Sequence, residues 1–214
     1  MKQAGFTLIE LMIGLLVGLI VVSGVSVAFI GIMRSSANLL NSTALNTEVG
    51  STVDIMVGEI RRAGYVSGAT SSTNPFVTQA LSDLVTPTVT PADSCVLYSY
   101  DVDGLGTSLS ATSLKGFKLN GTKILMRESA SAVSSAASAS CADGTWNELT
   151  SDRVNITSLT FDLTCESGTG SLCSNSGVNI RWLDISVSAQ SGNDSDIKTT
   201  VTERVKVQNN LDFD

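Results

Sequence analysis

Residues 6–33 carry a single charge, Glu10, and run without a proline through Phe-Thr-Leu-Ile and then Leu-Met-Ile-Gly-Leu-Leu-Val-Gly-Leu-Ile-Val-Val. A bilayer's hydrocarbon core needs about 20 apolar residues in a helix, and this stretch would run about 42 Å at 1.5 Å per residue. It is therefore long enough to span a membrane. A general secretory signal would place a small-residue cleavage site after the apolar run, yet here the run passes straight into an amphipathic pattern. A plain signal anchor explains the hydrophobicity but not the acid. A carboxylate in hydrocarbon costs about 2.5–3.5 kcal/mol on insertion scales, so Glu10 needs a partner or a role. Gly14, Gly18, Gly24 and Gly31 punctuate the run. Each weakens a helix interior by about 1 kcal/mol against alanine, and the four-residue spacing of Gly14 and Gly18 permits close helix approach.

Beyond Arg34 the chain turns polar. Leu39, Leu45 or Val49, Val53, Met56 or Val57, and Ile60 recur at steps of three and four, which predicts an amphipathic continuation of the helix. Arg61 and Arg62 suit its last turn and Gly64 its stop. One helix from residue 6 to residue 62 would be about 85 Å long; a break near 35–38 is the alternative. Glu48, Asp54 and Glu59 read as a hydrated face or a charged surface between subunits. Residues 66–91 read as loop, with Pro75, Pro87 and Pro91 as breakers.

Strands are expected at 95–100, 114–119, 123–126, 156–163, 179–188 and 199–208, with Asn120-Gly121 marking a hairpin. In the fifth, Ile180, Trp182 and, less cleanly, Asp184 alternate before Ile185, Val187 and Ala189 take over; in the last, Val201, Glu203, Val205 and Val207 alternate with polar neighbours. Residues 129–140 form an Ala/Ser-rich loop or short helix. The fold class that follows is α+β, a long N-terminal helix packed on an antiparallel β-rich head.

The formal charge of −7 argues against a general nucleic-acid footprint, which needs a basic face. Lys115, Lys118, Lys123 and Arg127 would have to form a local patch for direct nucleic-acid binding, which is not expected. With no histidine in the chain, the usual general base and commonest metal ligand are missing. No Ser/His/Asp or Cys/His arrangement can be built, and an enzyme is not expected; nor is a cofactor. Asp101-Val102-Asp103-Gly104 is similar to the start of a calcium loop but lacks its later ligands, and reads as a solvated turn. Trp146 and Trp182 read as packing residues. Cys95, Cys141, Cys165 and Cys173 follow an export element and match no zinc spacing, which points to disulfides. Of three possible pairings, proximity alone favours Cys165 with Cys173 across a short loop, leaving Cys95 and Cys141 to close a longer one.

Gly5-Phe6-Thr7-Leu8-Ile9-Glu10, a few residues after Met1-Lys2, resembles the class III signal of type IV prepilins and type II secretion pseudopilins. The resemblance implies a leader over residues 1–5, cleavage between Gly5 and Phe6 by a prepilin peptidase, and N-methylation of the new Phe6 amine. It also implies a transmembrane and polymerisation helix over 6–33, an amphipathic continuation over 34–64, and a globular head over 65–214 with a pilin-like fold. Glu10 falls on the family's assembly glutamate, placed to neutralise the Phe6 amine of a neighbour. Such a buried pair favours register over raw stability. Arg61-Arg62-Ala63-Gly64-Tyr65, the segment from Cys95 to Asp101 and the closing strand are similar to PilW-type minor pilins, relatives of GspJ-type pseudopilins. That likeness implies a subunit that helps initiate a type IV pilus and sits at or near its tip. Its expected partners are other minor and major pilins, the inner-membrane assembly platform and a tip adhesin. The head would be periplasmic on a single-pass inner-membrane anchor, then carried to the cell surface. Alternatives are a minor pseudopilin of type II secretion and a ligand-binding tip module.

Overall fold

The computed structural model describes residues 5, 7–68, 84–85, 94–104, 112–129, 140–165, 168–169, 177–208 and 211–213. The chain divides into two units, Met1–Thr43 and Ala44–Asp214. One helix, α1 (Leu8–Ile60), holds the apolar run and extends into the second unit, without a break near 35–38.

In the first unit every described residue up to Leu40 is exposed. An 18-residue stretch of α1 has a mean hydropathy of 2.7, and the helix is long and apolar enough to cross a membrane. Leu39, expected on a packed face, is 69 % exposed; its apolar character finds no use inside the molecule.

In the second unit α1 presents Leu45, Val49, Val53, Met56 and Ile60 to the core, all at most 2 % exposed. Their three- and four-residue steps put them on one stripe. The helix stops two residues before Arg62 because Arg62 and Ala63 N–H groups turn to the tighter carbonyls of Glu59 and Ile60. Gly64 then adopts a positive φ of 74° and donates its N–H to the Ser99 carbonyl at 2.8 Å, so the stop is also a junction to the sheet.

The first sheet is antiparallel in the order β1 (Leu84–Val85), β2 (Cys95–Ser99), β3 (Leu114–Asn120), β4 (Lys123–Ser129), β5 (Thr145–Glu148). The β3–β4 hairpin pairs Asn120 with Lys123, so its two-residue loop is Gly121-Thr122 rather than Asn120-Gly121. Gly121 takes the positive φ (60°) that such tight turns require at the first loop position. Within the expected 66–91 loop, β1 pairs with β2, a correction to that reading. β5, with one aromatic in four residues, gave no periodic signal.

The second sheet runs β10 (Lys198–Lys206), β9 (Arg181–Ser191), β6 (Val154–Cys165), β7 (Gly168–Thr169), again antiparallel, with a bulge in β6 between Ile156 and Ser158. β9 alternates perfectly, with Arg181, Leu183, Ile185, Val187 and Ala189 inward. Trp182 and Asp184 therefore face outward, because the strand begins at Arg181. The expected 179–188 strand is split: β8 (Gly177–Asn179) pairs with β11 (Leu211–Phe213) instead. One core joins the α1 stripe to Val96, Tyr98, Phe117 and Ile124 of the first sheet and to Leu159, Phe161, Leu183, Ile185 and Val205 of the second. The Ala/Ser-rich segment 130–139 lies outside the described residues.

Candidate processing and assembly site

Glu10 sits in the first turn of α1. The Thr7 hydroxyl accepts the Glu10 backbone N–H at 3.3 Å and donates to Glu10 Oε2 at 3.4 Å. The Thr7 carbonyl takes the first helical hydrogen bond from Leu11 at 3.2 Å. Thr7 is thus the N-cap, and Thr7-x-x-Glu10 has the spacing of a capping box, with the Glu10 carboxylate held by the Thr7 hydroxyl rather than by the Thr7 backbone N–H. A Ser/Thr followed three residues later by Glu is a readable signature, and sequence reasoning centred on the acid alone passed over it. Gly5 is exposed; Phe6 lies outside the described residues. Among the described residues of the first unit the apolar side chains are all exposed, and an exposed apolar surface of this extent marks a membrane or protein contact.

In the head, two acids expected on a hydrated or intersubunit face are bound inside the molecule. Glu48 accepts the Ser151 N–H at 2.6 Å and the Ser151 hydroxyl at 2.9 Å. Glu59 accepts the Tyr100 hydroxyl at 3.0 Å and pairs with Arg62 at 3.1 Å. Burial, first of all, raises the Tyr100 pKa. Asp54 is exposed. Asp101 is 5 % exposed, and its oxygens accept the N–H groups of Ser67 and Gly104, each at 3.0 Å. It closes a turn and ties the post-helix segment to β2; Asp103 lies in the bend that follows.

Cys95 and Cys141 form a disulfide with Cα atoms 6.6 Å apart. Cys165 ends β6, and Cys173 lies outside the described residues. The bridge holds residues 140–146 over the outer face of the first sheet. There Lys118 Nζ lies 4.2 Å from the Trp146 ring centroid and donates to the Cys141 carbonyl at 2.8 Å. Arg127, fully buried, lies 5.5 Å from the same ring and donates to the Ser140 carbonyl at 3.2 Å. Burial lowers the pKa of both, and Arg127 lowers Lys118 further. The four basic residues do not form one open patch: Lys115 donates to the Glu128 carbonyl and Lys123 pairs with Asp152 at 2.8 Å.

Residues 38–207 match the model of a family described as prepilin peptidase-dependent protein B. The chain belongs to that family. Residues 1–26 match the prokaryotic N-terminal methylation motif, the segment that contains Gly5, Thr7 and Glu10. No curated protein and no solved structure matches the chain. Membership makes this a pilin-like subunit dependent on prepilin peptidase, with an exposed apolar helix consistent with membrane anchoring.

Proposed function

We propose that the protein is a minor pilin that helps start assembly of a type IV pilus and enters it at or near the tip. Prepilin peptidase cuts between Gly5 and Phe6, and the new Phe6 amine is methylated. Before assembly the single span anchors the subunit in the inner membrane with its head in the periplasm; afterwards it stands in the filament. The role is structural, with no substrate turned over.

The observation that carries this reading is the acid in the first turn of an apolar helix whose described residues up to Leu40 are all exposed. A carboxylate there is costly in lipid, and an amine created on a neighbouring subunit offsets that cost only in the assembled state. Glu10→Ala should be processed at the wild-type rate yet be absent from sheared filaments by immunoblot. Normal incorporation would reject the role. Deletion should remove surface pili; blocked protein secretion with pili intact would instead assign the subunit to a type II secretion system.

A further inference from the structure

Beside the Cys95–Cys141 bridge lies a pocket of about 190 Å3, walled by Ser94, Lys118, Asn120 and Ala142 as well as the two half-cystines. Lys118 is the one charged residue among the described residues of its wall. Lys118 and Arg127 share the Trp146 ring, and among the described residues no carboxylate comes within 4 Å of either. Asp143 acts on Arg127 only at longer range. Arg127 is not part of the pocket wall: it spends one donor on Ser140, and its Nε and Nη2 pack against Gly144. Lys118 spends one of its three donors on Cys141. Partly desolvated cations without a counter-charge are costly, and the complement that relieves them is an anion.

We propose that this pocket takes one carboxylate, presented by an acidic side chain of an adjoining pilin-like subunit, with Lys118 as its cationic contact and Asn120 as a second donor. The volume admits the end of one side chain and no folded element. The source follows from charge: the chain holds 20 acidic against 13 basic residues, so a like subunit offers carboxylates in surplus. This source rests on the assembly role proposed above, whereas the site itself does not.

The test uses the full chain in detergent micelles with Trp182→Phe, which leaves Trp146 as its sole tryptophan. Sodium acetate should change Trp146 emission saturably, and sodium chloride at equal ionic strength should not. Losing a charge-assisted hydrogen bond in Lys118→Met should weaken the acetate midpoint about tenfold or more. Lys115→Met should leave it unchanged, and Lys118→Arg should restore part of it with near-ultraviolet dichroism intact. No saturable response, or one undiminished in Lys118→Met, overturns the site. A second arm measures incorporation of Lys118→Met into sheared filaments, which should fall. A lost acetate response with wild-type incorporation would overturn the neighbouring subunit as the source and leave a free carboxylate as the ligand. Because the acetate arm involves no filament, it stands whatever Glu10→Ala does to assembly.

Discussion

Glu48 and Asp184 show how single carboxylates hold this head together. Glu48 receives two hydrogen bonds from Ser151, a residue far along the chain, and so ties α1 to the start of the second sheet. Glu48→Ala should cost about 1.5–3 kcal/mol, since the acceptor is charged, and lower the melting midpoint by several degrees. Asp184 makes a two-pronged pair with Arg204, both contacts at 2.6 Å, and the guanidinium's hydrogen bonds hold its pKa below the usual carboxylate range. A depressed carboxyl pKa stabilises the fold fully above the unfolded value of about 3.9. That contribution is lost as pH falls through the lower folded value. In Arg204→Met the Asp184 midpoint, followed by carboxyl NMR, should rise toward the ordinary value, and acid unfolding should begin at higher pH. Neither acid's role was legible in the sequence. Period and charge place Glu48 on the polar side of a helix, but only the tertiary fold brings Ser151 beneath it. Glu10 stands out in the sequence because its neighbours are all apolar.

At the scale of elements, the helix and the hairpin could be read ahead because their signals are local. The α1 stripe from Leu45 to Ile60 follows helical spacing, and Gly64 sits where a positive φ is needed. β5 and the split between β8 and β9 could not be read. The first has almost no apolar pattern, and the second depends on which partner each half pairs with, a choice made by distant residues. Met56 is fully buried at the centre of the stripe. Met56→Ala should cost about 2–5 kcal/mol, read by thermal or urea unfolding of the head's near-ultraviolet signal. The Cys95–Cys141 bridge closes a loop with a sequence separation of 46, worth about 4 kcal/mol by loop-closure entropy. Cys95→Ser/Cys141→Ser should lose stability of that order and shift Trp146 emission to the red as residues 140–146 lift away.

For the whole molecule, the head builds its own core, while among the described residues of the N-terminal unit none is buried. An α1 segment exposed and apolar from Leu8 to Leu40 is consistent with membrane anchoring. Membership in the prepilin peptidase-dependent protein B family and the methylation motif over residues 1–26 agree on how the chain enters that setting. The most direct measurement is intact-mass and N-terminal peptide spectrometry on protein recovered from its native membrane. The account predicts a chain that starts at Phe6 with one added methyl on its amine. A chain that retains Met1 through Gly5, or starts elsewhere, would contradict it.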